Sequence, residues 1–253
     1  MPSRNSSAAS AVRSADEASY AEPTDTLPIL KTKMHMIRRL LISTLLTALA
    51  ALAVSTAKPS EKTDSLTAAD FFANAPLRIF PTIDRTTRLD MLDYYRSGSD
   101  KPSKNAFKGN ARVLAASPSQ ITFSTSDVQE VELSLIPHRG DTLLMVITTV
   151  STPAPDSEVR FYTTAWEPVD RGLFIVPQLS EWIAPEGADR RDDLENLYPI
   201  TLARAVYDPS TRTLTLQNKL GDFLAPGEGS WADGLLRGEL VYRWNGKKME
   251  KVK

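Results

Sequence analysis

The feature that most constrains the fold is an alternation of apolar and polar residues between Arg112 and Trp166, interrupted by turn signals about every ten residues. Val131, Leu133 and Leu135 alternate with polar residues, which is typical of a half-buried strand. The run from Leu143 to Val150 is apolar on both faces, which predicts a central strand covered on two sides. Short strands without alternating helices predict antiparallel β-meanders and exclude a parallel doubly wound sheet.

Two short helices are predicted before these strands. Thr67 and Asp70 have the spacing of a capping box, at the start of a helix from Ala68 to about Ala75. Thr87 is expected to cap the second helix. Because neither helix is long enough to be stable alone, both are expected to pack on one side of the strands. The predicted fold class is therefore α+β.

The second half of the chain carries a weaker version of the same pattern. Leu194, Leu197 and Tyr198 predict a short helix. Residues 111–123 and 203–216 each place a strand, a Pro-Ser turn and a second strand after a helix. Two explanations stay open: two related helix-plus-hairpin halves at residues 66–166 and 189–253, or a chance similarity of two hairpins. One sheet and two sheets are equally compatible with the sequence.

Residues 36–57 have the three regions of a secretory signal peptide. Arg38 and Arg39 are a positive n-region, and Ser55-Thr56-Ala57 is a small-residue cleavage site. The apolar run between them is about 15 residues long, short of the ~20 that a spanning helix needs. We predict cleavage after Ala57 and a periplasmic or secreted protein. A single uncleaved anchor is the alternative.

Residues 1–35 and 58–253 take different roles under this prediction. The first range is rich in Ser and Ala and has no helix or strand period, so it is either a leader from a start codon assigned too early or a disordered extension. With Met34 or Met36 as the true start, the signal peptide stands at the N-terminus. Residues 58–253 are expected to form a single exported α+β domain, without a membrane span once the signal peptide is removed.

The composition of residues 58–253 excludes several classes of partner. Their 24 basic and 27 acidic residues give a net charge of −3, which is not the charge of a protein that binds nucleic acid or an anionic membrane surface. Cysteine is absent, so the chain has neither a disulfide framework nor a lipid-accepting thiol. We expect the exported protein to be stabilised by packing alone.

The sequence predicts no catalytic residue, metal site or cofactor. His138 is the only histidine after the signal peptide, and without cysteine it cannot complete a zinc site or a Ser/His/Asp triad. Glycine-rich phosphate loops, dinucleotide fingerprints and calcium loops are missing from the sequence. His138 is expected to be an ordinary loop residue. Hydrolysis catalysed by a pair of carboxyl groups is not excluded, because such a pair needs no histidine.

Asp90, Asp93 and Tyr94 are the best carboxylate cluster, since their spacing places them on one flank of the second helix. A hydrolase would use the two acids as a catalytic pair. The structural alternative gives Asp90 a role in the first helical turn and pairs Asp93 with Arg96. The structural alternative is favoured.

Arg160, Tyr162 and Trp166 form a second candidate, a stripe on one face of a strand predicted from Val159 to Trp166. Arg, Tyr and Trp are enriched in binding patches, so an open face would predict a binding surface. A covered face would make Tyr162 and Trp166 part of the core, and this alternative is favoured.

Two runs carry a resemblance to a known family: residues 74–95, with Arg88-Leu89-Asp90 and Asp93-Tyr94-Tyr95, and residues 153–166, with Phe161-Tyr162 and Trp166. In these runs the chain resembles the Bacteroidales-type domain-of-unknown-function family of small secreted proteins. The resemblance extends over nearly all of residues 66–252. It implies no activity, cofactor or catalytic residue.

Two functional hypotheses follow. The first is a non-enzymatic binding protein of the cell envelope or secreted fraction, whose ligand is another protein or a glycan-like molecule. It is motivated by the predicted export, the missing catalytic motifs and the aromatic stripe. The alternative is a carboxylate-dependent hydrolase, which rests on Asp90 and Asp93 alone.

Overall fold

A computed structural model describes residues 65–169 and 172–252 of the chain. These residues belong to one compact unit, Thr63–Lys253. The predicted leader and signal peptide, residues 1–57, lie outside the described residues. Within the two described ranges, no helix has the length and apolar character needed to cross a membrane.

Helix α1 (Ala68–Asn74) begins at the predicted capping box. The Thr67 hydroxyl and backbone N–H both donate to Oδ2 of Asp70, at 2.6 and 2.8 Å. The helix buries Ala68, Phe71 and Phe72. The local pairing of Thr67 with Asp70 therefore fixes where the chain turns into the helix.

Helix α2 (Arg85–Arg96) begins earlier than predicted. Its N-cap is Asp84, whose Oδ1 accepts a hydrogen bond from the backbone N–H of Thr87 at 2.8 Å. The prediction that Thr87 caps the helix is therefore wrong, because a stronger capping residue stands three positions before it. The shift also moves Asp90 out of the first turn and into the body of the helix.

The strands form two antiparallel sheets, and each sheet orders its strands as the chain does. The first sheet is six-stranded and the second is four-stranded. The strands of the first are β1 (Ser103–Lys104), β2 (Asn110–Ala116), β3 (Gln120–Ser124), β4 (Gln129–His138), β5 (Asp141–Val150) and β6 (Asp156–Thr163). The strands of the second are β7 (Ala203–Asp208), β8 (Thr213–Asn218), β9 (Glu239–Trp244) and β10 (Met249–Lys251). The α+β fold with antiparallel meanders is confirmed.

The described residues form three layers, with the six-stranded sheet in the middle. One face of this sheet packs on α1, α2 and the segment between them, where the ring centroids of Phe72, Phe80 and Phe123 lie 4.3 to 6.0 Å apart. The other face packs on the four-stranded sheet. Alternation along β5 sends Leu144 and Val146 toward the helices, while Leu143, Met145 and Ile147 point toward the second sheet. The predicted central strand is therefore covered on both sides, as its sequence indicates.

A long connection joins the two sheets and contains short helical segments. They are helix α3 (Leu179–Trp182), a 3-10 helix (Pro185–Arg190) and helix α4 (Arg191–Leu197). Helix α4 buries Leu194, as the sequence predicts for this stretch. The two Pro-Ser motifs form the hairpins β2–β3 and β7–β8, each within a meander. Duplication of the halves remains a hypothesis.

Candidate binding groove beside β6

Two cavities lie side by side along β6 and share Val159 and Phe174, so we treat them as one groove, the β6 groove. The larger cavity has a volume of about 480 Å³ and the smaller one about 300 Å³. The larger is lined by Asp156, Ser157, Glu158, Val159, Phe174, Val176, Pro177, Trp182, Thr201, Ala203 and Leu216. The smaller is lined by Val159, Arg160, Phe161, Tyr162, Pro168, Val169, Gly172, Leu173 and Phe174. Cavities of this size, mainly apolar with a few polar groups, are typical of ligand sites.

The chain after β6 builds one wall of the groove. It turns back on the strand, where the backbone N–H of Val169 donates to the carbonyl of Phe161 at 2.9 Å. Further on, the carbonyl of Leu173 accepts from the backbone N–H of Met249 at 2.7 Å. This part of the wall is therefore hydrogen-bonded to both sheets, which holds it in place.

Aromatic packing supports the same wall from behind. The ring of Phe174 makes an edge-to-face contact with Tyr242, with centroids 5.3 Å apart. Trp182 is fully buried beside it, in the core that the two sheets share. Rings held in this way leave little room for the wall to collapse into the groove.

Two large apolar side chains stand exposed in the segment that forms the groove wall, and one of them lines a cavity. Ile175 is 75% exposed and Val176 is 61% exposed, and Val176 lines the larger cavity. Single apolar residues on a surface are common, but adjacent ones beside an apolar cavity mark a surface that gains free energy when it is covered. Ile175 and Val176 are therefore the residues most suited to contact a ligand.

An ion pair lies on the edge strand, between the two cavities. Arg160 Nη2 and Glu158 Oε1 are 2.7 Å apart, and both side chains are more than half exposed. The hydrogen bond to Glu158 raises the pKa of the Arg160 guanidinium above its ordinary value. Paired charges on an edge strand also oppose edge-to-edge aggregation, so this pair has a structural role whether or not a ligand contacts it.

Of the predicted stripe, only Arg160 is exposed. Tyr162 and Trp166 are 8% and 4% exposed and belong to the core under the helices. Strand β6 ends at Thr163, and Trp166 follows in a turn with a φ of 62°, where its ring packs edge-on against Phe80 at 5.8 Å. A binding surface at Tyr162 and Trp166 would need both rings to be open to solvent. The segment between α1 and α2 covers them. The core alternative is correct for Tyr162 and Trp166, and a binding role for Arg160 stays a prediction.

The second candidate cluster, Asp90, Asp93 and Tyr94, does not form a cleft. Both acids are exposed, and Asp93 lies 3.9 Å from Arg96, as the structural alternative expects. A cavity of about 310 Å³ is lined by Tyr94, but by neither acid. Paired carboxylates in a cleft, as a hydrolase needs, are therefore not found at this helix.

No metal site was predicted, and the described residues contain no group of three or more His, Asp or Glu side chains placed to hold an ion. His138 lies at the end of β4, where its ring is 5.8 Å from that of Trp244. The position of His138 beside a buried aromatic ring indicates a structural role.

The sequence did not reveal a polar cluster between the two sheets. Gln120 Nε2 donates to Ser134 Oγ at 3.1 Å and to the carbonyl of Tyr207 at 3.0 Å. Beside them, burial raises the pKa of Glu132 to about 7, although hydrogen bonds from Gln120 and from the backbone of Tyr207 act in the opposite direction. Alternation predicts that Glu132 and Ser134 lie on the polar face of β4. It gives no sign that a second sheet covers that face.

Comparisons with known proteins identify a family and a fold. Residues 60–249 match the model of a family described as "Protein of unknown function (DUF3256)". No curated protein matches the chain. A solved structure, "Structure of a domain of an uncharacterized protein from Porphyromonas gingivalis W83", is similar with a TM-score of 0.62 and 22% sequence identity, over 72% of this chain and 97% of that chain. At this identity the likeness shows the fold alone. The predicted resemblance to a family of unknown function is confirmed, while the secreted character remains a prediction.

Proposed function

The chain belongs to the DUF3256 family, and for this member we propose a non-enzymatic binding function in the cell envelope or the secreted fraction. The proposed binding region is the β6 groove. The observation that carries the proposal is the pair of exposed apolar side chains, Ile175 and Val176, beside a cavity of about 480 Å³. A catalytic role has no comparable support, because the predicted acids Asp90 and Asp93 lie outside any cavity described above.

The chemistry of the groove favours a protein ligand over a glycan-like one. Its most exposed apolar residues are aliphatic. The ring of Phe174 is half-buried in an edge-to-face contact with Tyr242, and the ring of Trp182 is fully buried, so neither ring is presented as a fully exposed platform for a sugar. An aliphatic surface gains roughly 25 cal/mol for each Å² that a partner covers. A partner segment with apolar side chains would satisfy this surface, while Arg160 and Glu158 at the rim would contribute to orientation rather than to affinity.

The test is site-specific photo-crosslinking in the native cells. A photoreactive amino acid at Ile175 or Val176 should capture a protein partner, and Val176→Asp should reduce the recovery of that partner. Leu114 is a matched control, because it is 42% exposed on β2, which β3, β4 and β5 separate from β6 in the six-stranded sheet. Leu114→Asp should leave recovery unchanged. Absence of a crosslink from both groove positions, or equal loss in the two Asp variants, would reject the groove as the binding region.

Localisation is a separate part of the proposal. It is supported by the sequence of residues 36–57, which has a positively charged n-region, an apolar run and a cleavage site of small residues. N-terminal sequencing of the native protein should give a first residue at or near Lys58. Fractionation should place the protein in the periplasm or the medium. A membrane-integral fraction, or an N-terminus before Met36, would show that this part of the proposal is wrong.

A further inference from the structure

The β6 groove runs along the edge of β6 rather than along one face of the strand. Its two cavities are together lined by every residue from Asp156 to Tyr162. Successive side chains of a strand point to opposite faces, so a cavity beside one face would be lined by alternate residues only. Strand β6 is the last strand of its sheet, with β5 on one side. The backbone on the other side of β6 therefore lines the groove.

Alternation identifies the backbone groups that point into the groove. The carbonyl of Phe161 accepts from the N–H of Val169, and the N–H of Thr163 donates to the carbonyl of Glu167, both at 2.9 Å. These groups of β6 therefore point away from β5. In an antiparallel ladder the backbone groups of every second residue point to the same side. The N–H of Phe161 and both backbone groups of Val159 consequently point away from β5 as well.

This part of the edge is open. In the described part of the chain, neither the N–H of Phe161 nor the backbone N–H or carbonyl of Val159 has a hydrogen-bond partner at this edge. The edge of β7 differs, since the N–H of Ala205 donates to Ser157 Oγ at 2.9 Å. An edge strand with unpaired donors and acceptors is a template on which another strand can form. The open groups of β6 therefore call for a ligand with a peptide backbone.

We propose that the β6 groove binds an extended segment of a partner protein, which adds to the six-stranded sheet as a further strand beside β6. This inference rests on the binding function proposed above and names the form of the ligand. The backbone of the segment pairs with Val159 and Phe161. In this kind of recognition, main-chain hydrogen bonds supply affinity and pockets for alternate side chains supply specificity.

One face of β6 determines which residues of the segment are apolar. Phe161 belongs to the core between the two sheets, and Val159 packs against that core. Phe174 and Val176 line the groove on the same side as this core. Residues directly opposite each other on paired strands share a face of the sheet. Every second residue of the segment is therefore apolar and contacts this lining.

The other face of β6 determines the charge of the remaining residues. Glu158 and Arg160 lie on this face, and both side chains are more than half exposed. Opposite charges on paired strands stabilise the pairing, and like charges directly opposite each other destabilise it. The segment is therefore polar at these positions, with an acid favoured beside Arg160 and a base beside Glu158. A helical ligand does not match, because its apolar residues recur at spacings of three and four.

Hydrogen exchange in the free protein tests whether the edge is open. The amides of Val159 and Phe161 should exchange faster than those of Glu158 and Arg160 by on the order of tenfold or more, because only the latter two face β5. Similar protection of all four amides would show that the edge is closed, and would overturn the proposal.

The bound state is tested with the peptide of the captured partner that carries the crosslink to Ile175 or Val176, synthesised alone. Methylation of its backbone nitrogens, one at a time, should weaken binding by on the order of tenfold at alternate positions and little at the positions between them. This period of two arises because only every second N–H of an added strand points toward β6. Equal losses at neighbouring positions, or a peptide that does not bind although the intact partner is captured, would overturn strand addition and leave the binding function standing.

Val159→Pro is the matching change in the protein, because it removes a backbone donor at the open edge and no hydrogen bond to β5. It should weaken binding of the same peptide by on the order of tenfold or more. Val159→Ala is the control, since it shortens the side chain and keeps the N–H. Equal losses in the two variants would overturn the proposal. The series of methylated peptides uses the wild-type protein, so it decides the question even where the Pro variant does not fold. Absence of any crosslink at the groove would reject the binding function itself, and strand addition with it.

Discussion

The indole N–H of Trp244 in the four-stranded sheet donates a hydrogen bond to the backbone carbonyl of Pro137 in the six-stranded sheet, at 2.6 Å. The same ring stacks on Phe161 with centroids 6.0 Å apart, and Trp244 is 2% exposed. This contact joins the sheets near the end of β4, whereas Gln120 Nε2 on β3 joins them through the carbonyl of Tyr207. Together with the contacts of Ala203 and Ala205 to β6, polar groups hold the interface at several separated points, with apolar packing between them.

Trp244→Phe should lower the free energy of unfolding by about 1 to 3 kcal/mol, because it removes the part-buried hydrogen bond to the carbonyl of Pro137 and reduces a buried aromatic side chain. Urea denaturation followed by circular dichroism measures this loss. Trp231→Phe is the control, since Trp231 is 41% exposed and its ring lies 4.4 Å from the Arg190 guanidinium. A control variant as destabilised as Trp244→Phe would argue against a specific role of the hydrogen bond.

Trp166→Ala should lower the free energy of unfolding by about 3 to 5 kcal/mol, because a buried aromatic side chain is replaced by a cavity. This expectation is the opposite of that for an exposed binding residue, which could be truncated without loss of stability. Arg160→Ala, in the exposed part of the same predicted stripe, should change stability by less than about 1 kcal/mol. Thermal unfolding of the two variants distinguishes core from surface directly.

Arg88→Ala should destabilise the protein by about 2 to 4 kcal/mol, since two buried carbonyl groups lose their donor. Arg88 is 2% exposed, and its guanidinium donates to the carbonyl of Ile83 at 2.9 Å and to that of Ala75. Burial lowers the pKa of this guanidinium from its ordinary value, but it remains charged at neutral pH. Arg85→Ala, on an exposed position of the same helix, should have little effect on the urea midpoint.

Asp70→Asn should lower the free energy of unfolding at pH 7 by about 0.5 to 2 kcal/mol, through loss of the capping box. The hydrogen bonds from Thr67 hold the pKa of Asp70 below its ordinary value. A lowered carboxyl pKa contributes stability above the unfolded pKa, and this contribution is lost as the pH falls through the folded pKa. The difference between wild type and Asp70→Asn should therefore shrink in acid. Asp93→Asn, which changes only a surface pair 3.9 Å long, should change the free energy of unfolding at pH 7 by less than about 1 kcal/mol.

Features decided by neighbouring residues could be predicted from the sequence. The capping box of Thr67 and Asp70 needs residues three positions apart, and the two-sided burial of β5 follows from its continuous apolar run. The N-cap of α2 is harder to predict from the sequence, because Asp84 and Thr87 are both residues that can cap a helix. The structure places Arg88 in the core from a helix that begins at Arg85, so tertiary packing is consistent with the earlier start.

Features decided by distant residues could not be predicted. Alternation assigns Tyr162 to one face of β6 and Glu132 to one face of β4, but it does not say what covers either face. The ring of Trp166 lies beside Tyr162 and packs on Phe80 from the segment between the two helices, while β7 of the second sheet contacts Gln120 in the strand next to β4. The β6 groove depends on the same kind of information, because its wall is a connection without a period of its own.

The strand order of the two sheets also has a kinetic consequence. Each strand in a described sheet pairs with the strand before or after it in the chain, so the pairings close short loops or hairpins, except that of β8 with β9, which closes the longer connection of residues 219–238. Contacts of low sequence separation form quickly, and each sheet can be completed from one continuous stretch of chain. The slow event in folding should then be the meeting of two preassembled sheets, which brings Trp244 to Pro137 across a sequence separation of 107 residues.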